Sequence, residues 1–184
     1  MDVLALIVSV TSVALAGLGT WLANKRATEA LEEARRAAAS ALWSDLQDAV
    51  QRFIGFDPTM EPIGERLADL RIAGIALVDE MPSWAGLDKW LEAERALGAV
   101  LGGQVMEQAQ PGDSVELRLA NLHPYQRWAQ VLSSNLRHFR ANGYDADAAN
   151  KLQQSAEQQA KAVYNEHGWA LPSTSITGDK PIEP

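Results

Sequence analysis

The amino-acid sequence predicts an all-α protein, in which an N-terminal single transmembrane helix continues into a helical stalk and a bundle of about five helices. Residues 3–23 carry no charged side chain, and beyond them apolar residues recur every three or four positions. Gly and Pro residues separate these periodic segments, and no partner strand is evident for the few alternating stretches. We therefore divide the chain into a transmembrane anchor, a juxtamembrane stalk, a helical bundle and a disordered tail, at residues 1–26, 27–56, 57–168 and 169–184.

The first segment has the length of a membrane span. Residues 3–23 read VLALIVSVTSVALAGLGTWLA, and a helix of that length covers about 30 Å, the thickness of a bilayer's hydrocarbon core. Trp21 lies where amphipathic rings meet the lipid headgroups, and Asn24, Lys25 and Arg26 end the apolar run. We expect a retained single-pass anchor with these four residues at the membrane interface.

Basic residues predict the orientation of this anchor. None precedes the apolar run, whereas Lys25, Arg26, Arg35 and Arg36 follow it. Because basic residues concentrate on the cytoplasmic side of membrane proteins, the N-terminus should lie outside and the C-terminal domain in the cytoplasm. We expect the protein in the cell membrane.

Two other interpretations of the first segment stay open. Ala14-Leu15-Ala16 is a small-residue cleavage site, and cleavage after Ala16 would release an exported helical protein. A signal peptide also needs a basic N-terminal region, whereas this chain begins Met-Asp and its apolar run continues to Ala23. The remaining interpretation is a buried helix of a soluble protein.

Small residues recur along one side of the predicted span. Ser12, Ala16 and Thr20 lie four residues apart, a spacing that lets two helix backbones approach closely. This strip is a candidate helix–helix contact. Such residues are also common in any membrane helix, so ordinary composition is the alternative.

The sequence of the stalk predicts a long helix, because residues 27–53 contain no Gly or Pro. Leu42, Leu46, Ala49 and Phe53 share one face of this helix, so its end should pack into a core. Upstream the apolar seam is thin and rich in alanine. A parallel coiled coil or packing within the chain's own bundle would each account for it.

The rest of the chain divides into helices at caps and turn residues. Thr59 can cap the next helix, Pro124 can open another, Asp145 can cap the last, and Gly143 and Gly168 can end helices. We expect helices at residues 59–80, 84–110 with a break at 102–103, 115–122, 124–142 and 145–168. The inward face of the 124–142 helix should comprise Tyr125, Trp128, Leu132, Leu136 and Phe139.

Charge and composition exclude several classes of partner and site. Residues 57–184 contain 18 acidic and 11 basic side chains, a balance that repels nucleic-acid backbones, so no nucleic acid is expected. The chain has no cysteine, which excludes disulfides and thiolate metal sites. An excess of Arg over Lys and abundant Ala are typical of proteins from high-GC bacteria. A protein partner or a homo-oligomer remains the expected association besides the membrane.

No motif in the sequence indicates catalysis or a cofactor. The three histidines lack metal-ligand spacing, and the GLG at residues 17–19 lacks the third glycine and the lysine of phosphate-binding loops. Paired acids such as Glu92 and Glu94 are expected on solvated helix faces. The six tryptophans are expected mainly in the core, and an aromatic-lined pocket is the alternative. We therefore expect no enzyme activity, no metal and no cofactor.

These expectations favour a membrane-anchored cytoplasmic helical protein that acts as a non-enzymatic interaction or scaffold module. One alternative is an accessory regulator of a membrane complex, with a small-ligand pocket among the tryptophans. The other is the exported helical protein cleaved after Ala16.

Overall fold

The computed structural model describes residues 2–170, without the side chains of residues 2–20 and 22. The described residues form five α-helices and no strand, which confirms the all-α prediction. The helices are α1 (Asp2–Gln51), α2 (Gly64–Glu80), α3 (Leu87–Gln108), α4 (Val115–Asn142) and α5 (Ala146–His167).

The contacts divide the chain into two units, Met1–Leu42 and Trp43–Pro184. In the first unit, the described side chains from residue 21 onward are exposed, apart from the half-buried Ala39 and Leu42. In the second unit, the end of α1 and helices α2–α5 supply the buried core residues. The packed part of the chain therefore consists of five helical segments.

Most of the predicted membrane span lies in the part of α1 whose side chains are outside the described residues. This holds for Ser12, Ala16 and Thr20 and for the candidate cleavage site after Ala16. Within the described residues, no helix has both the length and the apolarity needed to cross a membrane. Residues 171–184, which comprise most of the predicted disordered tail, are likewise outside the described residues.

The end of α1 packs into the core as its apolar spacing predicts. Leu46 and Ala49 of α1 and Phe53, two residues past its end, are buried, whereas Leu42 is half-buried. Beside this face, the buried Ser133 hydroxyl of α4 accepts hydrogen bonds from Gln47 Nε2 at 2.6 Å and from Gln51 Nε2 at 2.8 Å. Apolar burial and a shared polar contact therefore hold this part of α1 to α4.

The expected break of the third helix at Gly102 and Gly103 is wrong, because α3 is continuous from Leu87 to Gln108. A Cβ at Gly102 would overlap the Ile63 side chain, and one at Gly98 would overlap the Trp128 indole. The missing side chains allow this close packing, which compensates the cost of about 1 kcal/mol that each glycine imposes on a helix.

The expectation that Pro124 opens a new helix is also wrong, since Pro124 lies inside α4. Proline removes one hydrogen bond within a helix. Apolar residues on both sides of it are nevertheless buried, including Leu122, Tyr125 and Trp128. Their packing keeps α4 in one piece, and all five residues predicted for its inward face are buried.

Three helix ends lie where the sequence predicted them. Asp145 caps α5 by accepting from the N–H groups of Asp147 and Ala148, and Gly143 and Gly168 end α4 and α5. The expected cap at Thr59 is wrong: its N–H and hydroxyl both donate to Asp57 Oδ1, and α2 begins only at Gly64.

The third helix also begins later than expected. Trp84 lies in the turn before α3 and stacks on Tyr144, with ring centroids 4.6 Å apart and planes 10° from parallel. The Tyr144 hydroxyl donates to the Ala85 carbonyl at 2.8 Å. These contacts hold the turn, in which Trp84 is half-buried, against Tyr144, which precedes the capping residue of α5.

Candidate functional site

Glu94 is a buried carboxylate in the middle of the bundle. It lies on the core-facing side of α3, and only 6% of its surface is exposed. The expectation that Glu94 is on a solvated face is therefore wrong, although its neighbour Glu92 is exposed and pairs with Arg95. A buried charge requires compensating partners, so the surroundings of Glu94 are the first place to look for function.

Two tryptophans hold the Glu94 carboxylate. Trp90, one turn earlier in α3, donates its indole Nε1–H to Oε1 at 3.0 Å. Trp128 of α4 donates its Nε1–H to Oε2 at 2.9 Å. Each carboxylate oxygen therefore has one indole partner, and the two bonds fix the orientation of the group from two different helices.

The partners of Glu94 are neutral. Burial raises the pKa of the Glu94 carboxyl above its ordinary value of 4.5, and the two indole hydrogen bonds oppose this rise without cancelling it. The ion pairs among the described residues do not include Glu94. The carboxylate is thus compensated by dipoles, and a countercharge would stabilise its ionised form.

The same carboxylate joins two aromatic clusters. On one side, Trp90 packs edge-to-face on Phe139, with centroids 5.2 Å apart. On the other side, Trp128 packs on Phe53 at 5.3 Å and on Tyr125 at 5.6 Å. These rings are the rigid support of the site, because moving either indole would also disturb the core behind it.

A cavity of about 440 Å³ opens beside Glu94, between α3, α4 and α5. Each helix contributes residues spaced three or four positions apart, so each presents one continuous stripe to the cavity. The stripes are Glu94, Leu97 and Leu101 from α3; Pro124, Trp128, Val131 and Asn135 from α4; and Leu152, Ser155, Ala156 and Gln159 from α5. Its volume falls within the range of small-molecule sites.

Asn135 is the second polar group to explain in the cavity wall. Its Nδ2 atom is inaccessible to solvent, and no hydrogen-bond acceptor among the described residues reaches it. A buried donor without a partner costs free energy that a bound acceptor would recover. The cavity wall therefore combines an anionic acceptor, Glu94, with an unused neutral donor.

The opening of the cavity is polar. His123, Arg127, Ser155 and Gln159 line it and are exposed. Leu97, Leu101 and Ala156 provide the apolar part of the wall. An apolar wall with a few converging polar groups and a polar rim is the arrangement that ligand-binding pockets favour.

The residues predicted for the membrane interface lie in the first unit. Trp21 is 61% exposed, and Lys25 Nζ lies 5.8 Å from the centroid of its ring. The Asn24 carbonyl accepts from the Thr28 hydroxyl at 3.0 Å, and Arg26 is exposed. These contacts are local to α1, and the interface assignment of the four residues stays a prediction.

Sequence reasoning missed Glu94, although the signal was present. Trp90, Leu97 and Leu101 share one face at helical spacing, and position 94 fills the gap between them on that face. An acidic residue in the middle of an apolar stripe indicates a buried carboxylate. The tryptophan partner four residues away was a second signal.

No protein-family model matches the chain, and neither a curated protein nor a solved structure matches it.

Proposed function

We propose that this chain is a non-enzymatic, membrane-anchored helical protein that binds a small ligand in the cavity between α3, α4 and α5. It would act as an accessory regulator of a membrane complex. The observation that carries this proposal is the buried Glu94 carboxylate, which has only neutral partners and lines a cavity of about 440 Å³. Burying such a group is costly, and a ligand that uses it would repay the cost.

Binding fits the cavity better than catalysis. Acid–base catalysis usually pairs a titratable group with a second one in hydrogen-bond reach of the reacting atoms. Both Glu94 oxygens instead accept from indole N–H groups, and the titratable residues His123 and Arg127 are exposed at the rim. This arrangement suits recognition of a ligand by a fixed carboxylate.

Blocking the cavity tests the binding function. Ser155 and Gln154 are neighbouring exposed residues of α5, and only Ser155 lines the cavity. The full chain, purified in a neutral detergent, would be screened against a metabolite library by intrinsic tryptophan fluorescence. Compounds that bind should lose affinity by about tenfold or more in Ser155→Trp and should bind Gln154→Trp like the unaltered protein. A library without any binder, or binders indifferent to Ser155→Trp, would refute the proposal.

The anchor is proposed from the sequence of residues 3–23 and from the basic residues that follow them. Full-length protein should stay with membranes after alkaline extraction, whereas a chain lacking residues 1–26 should be in the soluble fraction. Protease added to intact cells should spare the C-terminal domain if it is cytoplasmic. A shortened chain that remains in the membrane fraction would contradict a single anchor, and a mature N-terminus at Gly17 would instead support export.

Self-association through the first unit is a second candidate function. The described side chains of this unit are exposed, including that of the apolar Leu31, apart from the half-buried Ala39 and Leu42. The predicted contact at Ser12, Ala16 and Thr20 lies in the same unit. Sedimentation of the detergent-solubilised full chain should show a dimer that Ala16→Leu weakens. A monomer at all concentrations would exclude this function.

A further inference from the structure

We infer that the ligand of the cavity is a small organic cation, with an ammonium or guanidinium group that pairs with Glu94 and an oxygen acceptor that pairs with Asn135. This inference rests on the proposed binding function of the cavity. It adds the chemical class of the ligand.

The Glu94 carboxylate can accept more hydrogen bonds than it does. A carboxylate oxygen accepts about two hydrogen bonds, and each Glu94 oxygen uses one of them on an indole at 3.0 or 2.9 Å. A second donor on each oxygen is therefore possible. Because the existing donors are neutral, a charged donor gains the electrostatic attraction that the indoles leave unused.

Trp128 lies beside Glu94 in the cavity wall. Its Nε1–H is bonded to Glu94, and its side chain lines the same cavity. Tryptophan is the aromatic side chain that attracts cations most strongly. The carboxylate thus favours a cation and disfavours an anion, and the face of the Trp128 ring would add to this preference where a ligand cation reaches it.

The Asn135 side chain carries an N–H donor without an acceptor among the described residues. This Nδ2 donor is buried, and a simple alkylammonium would leave it unpaired. Asn135 lines the cavity, so a ligand hydroxyl, carbonyl or ether oxygen would satisfy this donor once the amide turns its Nδ2 into the cavity. An amino alcohol or an amino amide has both groups on one short chain.

Four probes of similar size test the class of the ligand on the unaltered full chain in neutral detergent. They are butylammonium, 4-aminobutan-1-ol, 1-butanol and butyrate. Binding would be followed through the indole Nε1–H NMR signals of Trp90 and Trp128, which report directly on the Glu94 hydrogen bonds. We expect both cations to bind, the amino alcohol more tightly, and the neutral and anionic probes to bind least.

Variants then assign the two contacts. Glu94→Gln should weaken both cations by roughly 10- to 100-fold, as expected for a lost charged hydrogen bond. Glu92→Gln is the matched control, because Glu92 lies on the exposed face of the same helix. Asn135→Ala should remove the advantage of 4-aminobutan-1-ol over butylammonium, roughly 2- to 10-fold.

The outcomes separate the two proposals. If butyrate or 1-butanol binds as tightly as the cations, the cation assignment is wrong even if Glu94→Gln does not fold. If the cavity binds library compounds but none of the four probes, the assignment of the ligand as a small organic cation is wrong. The proposed binding function is then still supported. If neither the library nor the probes bind, both are overturned.

Discussion

Two parts of one helix behave differently in this molecule. In the part of α1 that belongs to the first unit, Leu31 is 53% exposed. In the part that belongs to the second unit, Leu46 is fully buried, at 0%. Both leucines lie on apolar seams of the same helix, so helical periodicity alone does not tell a covered face from a bare one. The difference shows that an apolar helix face is buried only where other helices pack against it.

The two parts are also stabilised by different contacts. The exposed part relies on pairs one turn apart, such as Lys25 with Glu29 at 3.9 Å and Glu32 with Arg36 at 3.4 Å. The buried part has apolar packing and the two hydrogen bonds to Ser133. Exposed pairs each contribute about 0.2–0.5 kcal/mol, so the two parts should respond very differently to mutation.

Truncating the two leucines is the strongest test of this difference. Leu46→Ala should lower the free energy of unfolding by about 2–5 kcal/mol, because it leaves a cavity in a packed core. Leu31→Ala should change it by less than about 0.5 kcal/mol, as is usual at the surface. Urea unfolding of both variants, followed by circular dichroism, gives the comparison. Equal losses would mean that the first unit is covered, for instance by a second copy of the chain.

Two glutamates extend the comparison to charge. Burial raises the pKa of Glu94 above its ordinary value of 4.5, so at pH values between the two the folded protein holds a proton that the unfolded chain has released. Its contribution to stability is fully present below about pH 4.5 and is lost as the pH rises through the raised value. Glu32, which is exposed and paired with Arg36, has no comparable burial.

The pH dependence of unfolding separates these two environments. Between pH 4 and 8, the stability difference between the unaltered protein and Glu94→Gln should shift against the unaltered protein as the pH rises. Glu32→Gln, which removes an exposed carboxylate, is measured beside it as the control. The measurement is urea unfolding at a series of pH values. Parallel curves for Glu94→Gln would show that the carboxyl is not desolvated.

The smallest expected effect concerns the pair formed by Glu32 and Arg36. A double-mutant cycle with Glu32→Ala and Arg36→Ala should give a coupling of about 0.3–0.5 kcal/mol, reduced by added salt. Hydrogen exchange of the amides in this part of α1 is the suitable readout, because global unfolding is dominated by the core. A coupling above about 1 kcal/mol would indicate that the pair is buried in an assembly.

The sequence anticipated the features that depend on neighbours along the chain. The cap at Asp145, the helix ends at Gly143 and Gly168, and the inward face of α4 were all predicted and are all confirmed. Each follows from contacts within a few residues, or from the 3.6-residue period of the helix. The predictions for the anchor, the orientation and the membrane-interface residues also come from local pattern, and they stay predictions.

The two errors about continuous helices have one cause. Gly102 and Pro124 are weak or disruptive helix residues when taken alone, yet both lie inside continuous helices. Packing against α4 and against the Ile63 side chain supports α3, and buried residues on both sides of Pro124 support α4. Tertiary contacts outweighed local propensity at each of these positions.

The sequence by itself therefore determined that this chain is helical, where several of its helices end and which faces of them are apolar. Only the tertiary structure decided that Glu94 is buried between Trp90 and Trp128. It also decided that the cavity beside Glu94 is lined by Asn135, whose Nδ2 has no acceptor among the described residues. The physical reason is that helical period and capping act between residues close in the chain, whereas burial depends on which distant helices meet.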